Sequence, residues 1–196
     1  MRIVVMNHIT LDGVMQSPGR VDEDTRDGFV QGGWATSRSD DLVGQAMGER
    51  ITAGGGLAGW LFGRRTYEDL LGHWNSVPDS PFAEALNNAH KYVASTTLGE
   101  PLAWPNSTLL GTDTVNAVAR LREEPAGVLG IMGSGLLIQA LRRESLIDEY
   151  LVMIHPIVLG SGRRLFPDGP AAEFTLVDTK TSSRGVILAT YQAAYR

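Results

Sequence analysis

Leu57-Ala58-Gly59-Trp60-Leu61-Phe62, followed by Gly63-Arg64-Arg65-Thr66 and then Tyr67-Glu68-Asp69-Leu70-Leu71-Gly72-His73-Trp74, is the stretch that decides the fold. The first six residues are short and mostly apolar, as in a strand buried on both faces. Tyr67, Leu70, Leu71 and Trp74 then follow the i, i+3, i+4, i+7 spacing of an inward helical face. Thr66 and Asp69 have capping-box spacing, which predicts a helix starting at Thr66. A strand that turns within four residues into a helix is half of a βα unit.

The same alternation extends in both directions. Residues 2–9 read as a buried strand, and residues 12–39 as a polar excursion with Pro18 and several glycines. A connection of that length within one domain is expected to be a functional lid or disordered. Ser39 is placed to cap a helix carrying Asp40, Asp41, Leu42, Val43, Ala46, Met47 and Ile51. Ser80-Pro81 opens another helix, with Phe82, Ala85, Leu86 and Ala89 as its inward stripe. Residues 91–95, 107–110, 128–132 and 149–158 read as strands, and 114–123 and 134–143 as helices. Residues 174–181 and 186–195 alternate around a polar turn containing Gly185, which predicts an antiparallel hairpin. The expected fold is one α/β domain over residues 1–196. It is a three-layer sandwich with a mixed, mostly parallel sheet, helices on both faces and a C-terminal antiparallel hairpin.

Composition narrows the functions. The chain of 196 residues has 17 basic and 22 acidic side chains, a net charge of -5, and basic residues no more than two in a row. Nucleic-acid and membrane-surface binding both call for a basic face, so neither is expected. With no cysteine, disulfides, thiolate catalysis and cysteine-held metals are excluded. No metal site is expected from the four histidines, which lack ligand spacing. His8 and His155 fall on predicted strands and could line a pocket, although a satisfied buried imidazole is the simpler reading. The absence of a signal-like or spanning apolar run leads to the expectation of a cytoplasmic protein.

Three predicted strand ends carry candidate chemistry. Gly63-Arg64-Arg65-Thr66 offers helix-start N–H groups beside a guanidinium. Gly133-Ser134-Gly135 offers a glycine turn with a hydroxyl, although its spacing is not that of the usual dinucleotide fingerprint. Ser95-Thr96-Thr97 adds hydroxyls. The loops at one edge of a parallel sheet gather where ligands bind, so the three together suit the phosphates of a dinucleotide. Arg64 and Ser95 suit a 2′-phosphate, which points to NADPH. Asp12, before Gly13, is the candidate for substrate work or proton relay. Val14 and Met15 could pack on the nicotinamide, and Trp34 could stack a flat substrate. Gly160-Ser161-Gly162-Arg163-Arg164 reads as a mobile turn.

Five segments, in order, carry a resemblance. They are Thr10-Leu11-Asp12-Gly13, Gly63-Arg64-Arg65-Thr66-Tyr67-Glu68, Met132-Gly133-Ser134-Gly135, Leu146-Ile147-Asp148-Glu149, and the run from Pro156-Ile157-Val158-Leu159-Gly160 to Leu165-Phe166. With them the chain resembles the dihydrofolate reductase-like proteins that include the reductase domain of the bifunctional riboflavin-biosynthesis deaminase–reductase. The resemblance implies that Gly63, Arg64, Arg65, Thr66, Ser95, Gly133, Ser134, Gly135 and Leu136 contact NADPH. It implies hydride transfer to a small heterocycle that is pterin-like or resembles 5-amino-6-(5-phosphoribosylamino)uracil. The chain departs from riboflavin-pathway reductases at Val14, where they usually carry lysine. Two other readings stand beside the enzyme: a nucleotide-binding module without turnover, and a dimeric structural protein. A homodimer is expected, for which the sequence offers the apolar C-terminal hairpin.

Overall fold

The computed structural model describes residues 1–125 and 127–194. The chain forms two compact units, Met1–Val4 with Ile51–Leu146, and Val5–Arg50 with Ile147–Arg196. Strand β1 (Arg2–Thr10) runs from the first into the second. The eight strands make one mixed sheet, mostly parallel at first and antiparallel at its C-terminal strands.

The first unit is built from β2 (Leu57–Gly63), α2 (Arg64–Asn75), α3 (Pro81–Asn88), β3 (Lys91–Ala94), β4 (Ser107–Leu109), α4 (Thr114–Glu123), β5 (Val128–Ile131) and α5 (Gly135–Arg143). Its strands lie in the order β4-β3-β2-β5 and pair in parallel. Parallel strands are buried on both faces, so Leu61, Phe62, Val93, Leu129 and Ile131 are fully enclosed, as the unbroken apolar runs require. Gly130 pairs with Trp60 across β2 and β5, and a Cβ at Gly130 would lie 2.4 Å from the indole. This glycine is what lets the Trp60 ring lie over the sheet.

Helix α2 buries Tyr67 and Leu71, while Leu70 and Trp74 are only partly covered. Its start corrects the sequence reading. Gly63 is the N-cap, the helix begins at Arg64, and Thr66 lies inside the first turn. Helix α3 begins at Pro81 as expected, with Ser80 Oγ accepting from Ala83 N at 3.1 Å. Its stripe is shifted, since Ala83 and Leu86 are buried and Ala85 is exposed.

The second unit contains α1 (Asp41–Ala53) up to Arg50, β6 (Glu149–His155), β7 (Glu173–Thr181) and β8 (Ile187–Ala194). β8 pairs antiparallel with both β6 and β7, which is the expected hairpin. The expected strand end at Tyr195 lies outside the described residues. The helix expected to be capped by Ser39 is instead capped one residue later, by Asp40 Oδ1 accepting from Leu42 N at 3.2 Å. β6 stops at His155, short of the expected Val158.

The excursion after β1 is ordered in this structure. Val14, Phe29, Trp34 and Ala35 make a small core of their own, packed against Ile157 and Leu159. Trp34 Nε1 donates to the Gln16 carbonyl at 2.8 Å, and Thr36 Oγ1 to the Gly19 carbonyl at 2.7 Å. Apolar residues spaced through a polar segment give it enough core to hold a defined path.

Candidate functional site

The carboxyl ends of β3, β2 and β5 meet at one edge of the first unit. Gly63 pairs with Ala94 and Leu61 with Ile131, so Ser95 and the Gly133 turn fall on either side of the β2–α2 turn. The contact with the Gly133 turn is direct. Ser134 Oγ accepts from Gly63 N at 2.7 Å and donates to Thr66 Oγ1 at 2.9 Å. A Cβ on Gly133, whose φ is +61°, would lie 2.9 Å from Thr66 Oγ1. Ser134 is itself left-handed, at φ 58°. The two turns are therefore one knot, in which Thr66 fastens the neighbouring turn and does not cap its own helix.

That knot leaves two helix ends without side-chain caps. Neither Gly63 at α2 nor Ser134 at α5 gives a side-chain cap to its helix. The first N–H groups of a helix have no intrahelical partner and carry partial positive charge, so such ends favour an anion. Arg64 lies here, with its Nη1 3.2 Å from Glu68 Oε2 in a pair whose side chains are 38% and 43% exposed. A pair that exposed is weak, so a phosphate can compete for the guanidinium. Arg65 is exposed, and Leu136 is 69% exposed on the first turn of α5. Ser95 is buried, and its Oγ accepts from Thr97 N at 3.1 Å and Leu98 N at 3.0 Å. The uncapped helix-start N–H groups with Arg64 fit the phosphates of a dinucleotide, whereas the Ser95 hydroxyl is engaged by its own turn.

The other sequence candidates lie in the second unit. Asp12 accepts from Thr10 Oγ1 at 2.6 Å, Leu159 N at 3.2 Å and Gly160 N at 2.8 Å. The Thr10 hydroxyl above all, with those two N–H groups, holds its carboxyl below the usual carboxylate range. Both carboxylate oxygens thus fasten the 159–160 segment. The turn expected to be mobile is cross-linked to the loop after β1: Met15 N donates to the Arg163 carbonyl, Leu165 N to the Gly13 carbonyl, and Arg163 N to Gln16 Oε1. Val14 is fully buried and Trp34 is 4% exposed, both in the small core, while Met15 is partly exposed. Trp34 meets the His155 ring edge-on at 5.3 Å.

Asp12→Asn is expected to lower thermal stability, because the neutral amide offers one acceptor where two oxygens served. A carboxyl with a depressed folded pKa adds stability above its unfolded pKa, about 3.9, and loses it as pH falls through the lower folded value. The wild-type minus variant difference in melting temperature should therefore be full at pH 6 and shrink below pH 4. A difference that does not change with pH would mean that the charge of Asp12 does not hold the turn.

Sequence reasoning passed over the knot of Gly63, Thr66 and Ser134 and the pairing of His8 with His155. Their partners are 71, 68 and 147 residues apart. The only available signal was the predicted adjacency of the parallel strands.

Solved structures share the fold. A protein of Shewanella sp. PV-4 whose name proposes a role in riboflavin biosynthesis superposes with a TM-score of 0.68 at 22% identity, over 100% of both chains. Dihydrofolate reductase from Enterococcus faecalis, complexed with NADP(H), superposes at 0.60 with 14% identity, over 98% of this chain and 96% of that one. A Thermotoga maritima diaminohydroxyphosphoribosylaminopyrimidine deaminase/5-amino-6-(5-phosphoribosylamino)uracil reductase superposes at 0.62 with 14% identity, over 98% of this chain and 56% of that one. The fold is thus dihydrofolate reductase-like. By sequence, residues 2–188 match the RibD C-terminal domain family, and the chain belongs to it. The uncharacterized protein YyaP of Bacillus subtilis (strain 168) is 30% identical over 138 residues, 67% of this chain and 71% of that one. Among the described residues no helix is long and apolar enough to cross a membrane.

Proposed function

We propose that the protein is an NADPH-dependent reductase of a small heterocyclic substrate, pterin-like or resembling 5-amino-6-(5-phosphoribosylamino)uracil. The observation that carries the reading is the knot of Gly63, Thr66, Gly133 and Ser134, which leaves two uncapped helix starts beside Arg64. The N–H groups at Gly135 and Leu136 suit the pyrophosphate, and Arg64 with Ser95 suits the 2′-phosphate. NADPH, when bound, supplies a hydride and leaves as NADP⁺. The protein's part is orientation and exclusion of water. Asp12, Met15 and Trp34 belong to the substrate side of this reading, with Asp12 and Trp34 setting the shape of the loops. A homodimer fits the C-terminal hairpin, where Leu176, Val177 and Ile187 are exposed.

The test is NADPH oxidation against pterins, flavins, quinones and the ribosylaminopyrimidine. NADPH binding without any turnover would favour a nucleotide-binding module. NADPH is expected to bind more tightly than NADH by roughly 10- to 100-fold, since a charge-assisted hydrogen bond contributes about 1.5–3 kcal/mol. Arg64→Ala should bring the two cofactors near parity with NADH affinity little changed. Equal affinities in the unmodified protein, measured by titration calorimetry, would remove Arg64 from this role.

A further inference from the structure

The second unit holds a pair of imidazoles that the cofactor reading does not use. His8, on β1, and His155, at the end of β6, are joined by a hydrogen bond of 2.8 Å between His8 Nδ1 and His155 Nε2. His155 is fully buried, and its Nδ1 has no hydrogen-bond partner among the described residues. His8 is only partly buried, and its Nε2 makes no hydrogen bond within the described protein. The Trp34 ring stands edge-on against His155 at 84°, and is itself held through Nε1 by the Gln16 carbonyl. The pair is therefore fixed at His155, while the partly buried His8 keeps an unengaged Nε2.

Proton bookkeeping sets the tautomer. Two neutral imidazoles sharing one hydrogen bond have two arrangements. If His8 donated, His155 Nδ1 would carry a buried N–H with nothing to accept it. If His155 donates, its Nδ1 keeps only a bare lone pair, and an unpartnered acceptor is better tolerated than an unpartnered N–H. Arg38, whose positive charge acts on His155 and whose Nη1 donates to the Trp34 carbonyl, also favours a lone pair over an N–H there. Neither ring is charged near neutrality. Burial, then the neighbouring His155, pushes His8 down to about 3. Burial, then Arg38, pushes His155 down to about 4.

We propose that His8 contacts the substrate as a neutral imidazole, locked by His155 with its proton on Nε2, and gives that N–H to a ring carbonyl oxygen or imine nitrogen of an electron-poor heterocycle. This rests on the reductase reading above and names the substrate-side group it lacked. When a hydride adds to the carbon of a C=N bond, the π pair moves onto nitrogen, and a proton from water completes the product's N–H. A fixed donor at that nitrogen steadies the growing charge at no cost in reorganisation. His8 keeps its own proton throughout. His155 is a positioning residue.

The tautomer is read on the unmodified protein by long-range nitrogen–proton NMR of the imidazoles. His8 should show a protonated Nε2 and a bare Nδ1, and neither ring should titrate between pH 8 and 5. A proton on His8 Nδ1 would overturn the proposal. With the compound that the NADPH panel identifies, His8→Phe should lower kcat/KM about a hundredfold while NADPH affinity is retained. His8→Gln, which keeps a donor, should lose less. His155→Leu removes the donor that locks His8, so the same spectra should show the His8 proton shared between Nδ1 and Nε2, a readout that a purely structural role would not move, while burial keeps the ring neutral. A folded His8→Phe protein with wild-type kcat/KM overturns this inference alone. Failure of the unmodified protein to bind NADPH instead overturns the reductase reading.

Discussion

Gly133→Val should weaken NADPH binding more than about a hundredfold and destabilise the protein by about 2–4 kcal/mol. Two costs add. The residue sits at φ +61°, where a β-branched side chain is strained, and its Cβ would lie 2.9 Å from Thr66 Oγ1 and 3.1 Å from Thr66 Cγ2. The bulk pushes the β5–α5 turn away from the β2–α2 turn and breaks the bonds of Ser134 to Gly63 and Thr66. The packing against Thr66 couples binding to stability. A second substitution separates the two. Thr66→Ala in the Gly133→Ala background removes the opposing atoms, so stability should recover in part through coupling of neighbouring sites. NADPH affinity should not recover, because the knot that set the helix starts is gone. Titration and thermal unfolding of the four proteins check this, and full cofactor affinity in folded Gly133→Val would leave the turn a merely structural one.

Arg50→Met is expected to cost about 3–5 kcal/mol in urea unfolding, the size seen when one member of a buried ion pair is removed. Glu149 is 1% exposed and Arg50 18%, and the guanidinium holds the carboxylate with two parallel hydrogen bonds, Nε to Oε1 at 2.7 Å and Nη2 to Oε2. Removing the arginine leaves a buried negative charge without its countercharge. The pair as a whole is worth much less than this cost, since desolvating two ions offsets most of their attraction. Arg50→Met combined with Glu149→Leu should therefore regain most of the loss. A double variant no more stable than Arg50→Met would show that the carboxylate serves its other neighbours more than Arg50.

The local course of the chain was legible because periodicity and turn chemistry act over a few residues. The 114–123 helix falls where its pattern places it, and the strands begin and end within a few residues of their apolar runs. The expected parallel order brought Gly63, Ser95 and Gly133 to one edge, since pairing of parallel strands dictates where their ends lie. Thr66 was misread for an equally physical reason. A threonine three residues before an acidic side chain caps its own helix when nothing else offers a better partner, and here the Ser134 hydroxyl does. Asp12 before Gly13 has the composition of a free turn carboxylate, and nothing nearby announces that Leu159 and Gly160 will take both its oxygens.

Composition and spacing along the chain account for the class of fold, the exclusion of cysteine chemistry and the residues at three strand ends. Which of those groups are engaged depends on contacts that exist only once the chain has folded. Arg50 finds Glu149 across 99 residues and His8 finds His155 across 147. Such pairs form where folding brings two polar groups out of water together, and burial then makes an unmet hydrogen bond costly enough to set tautomer, charge and orientation.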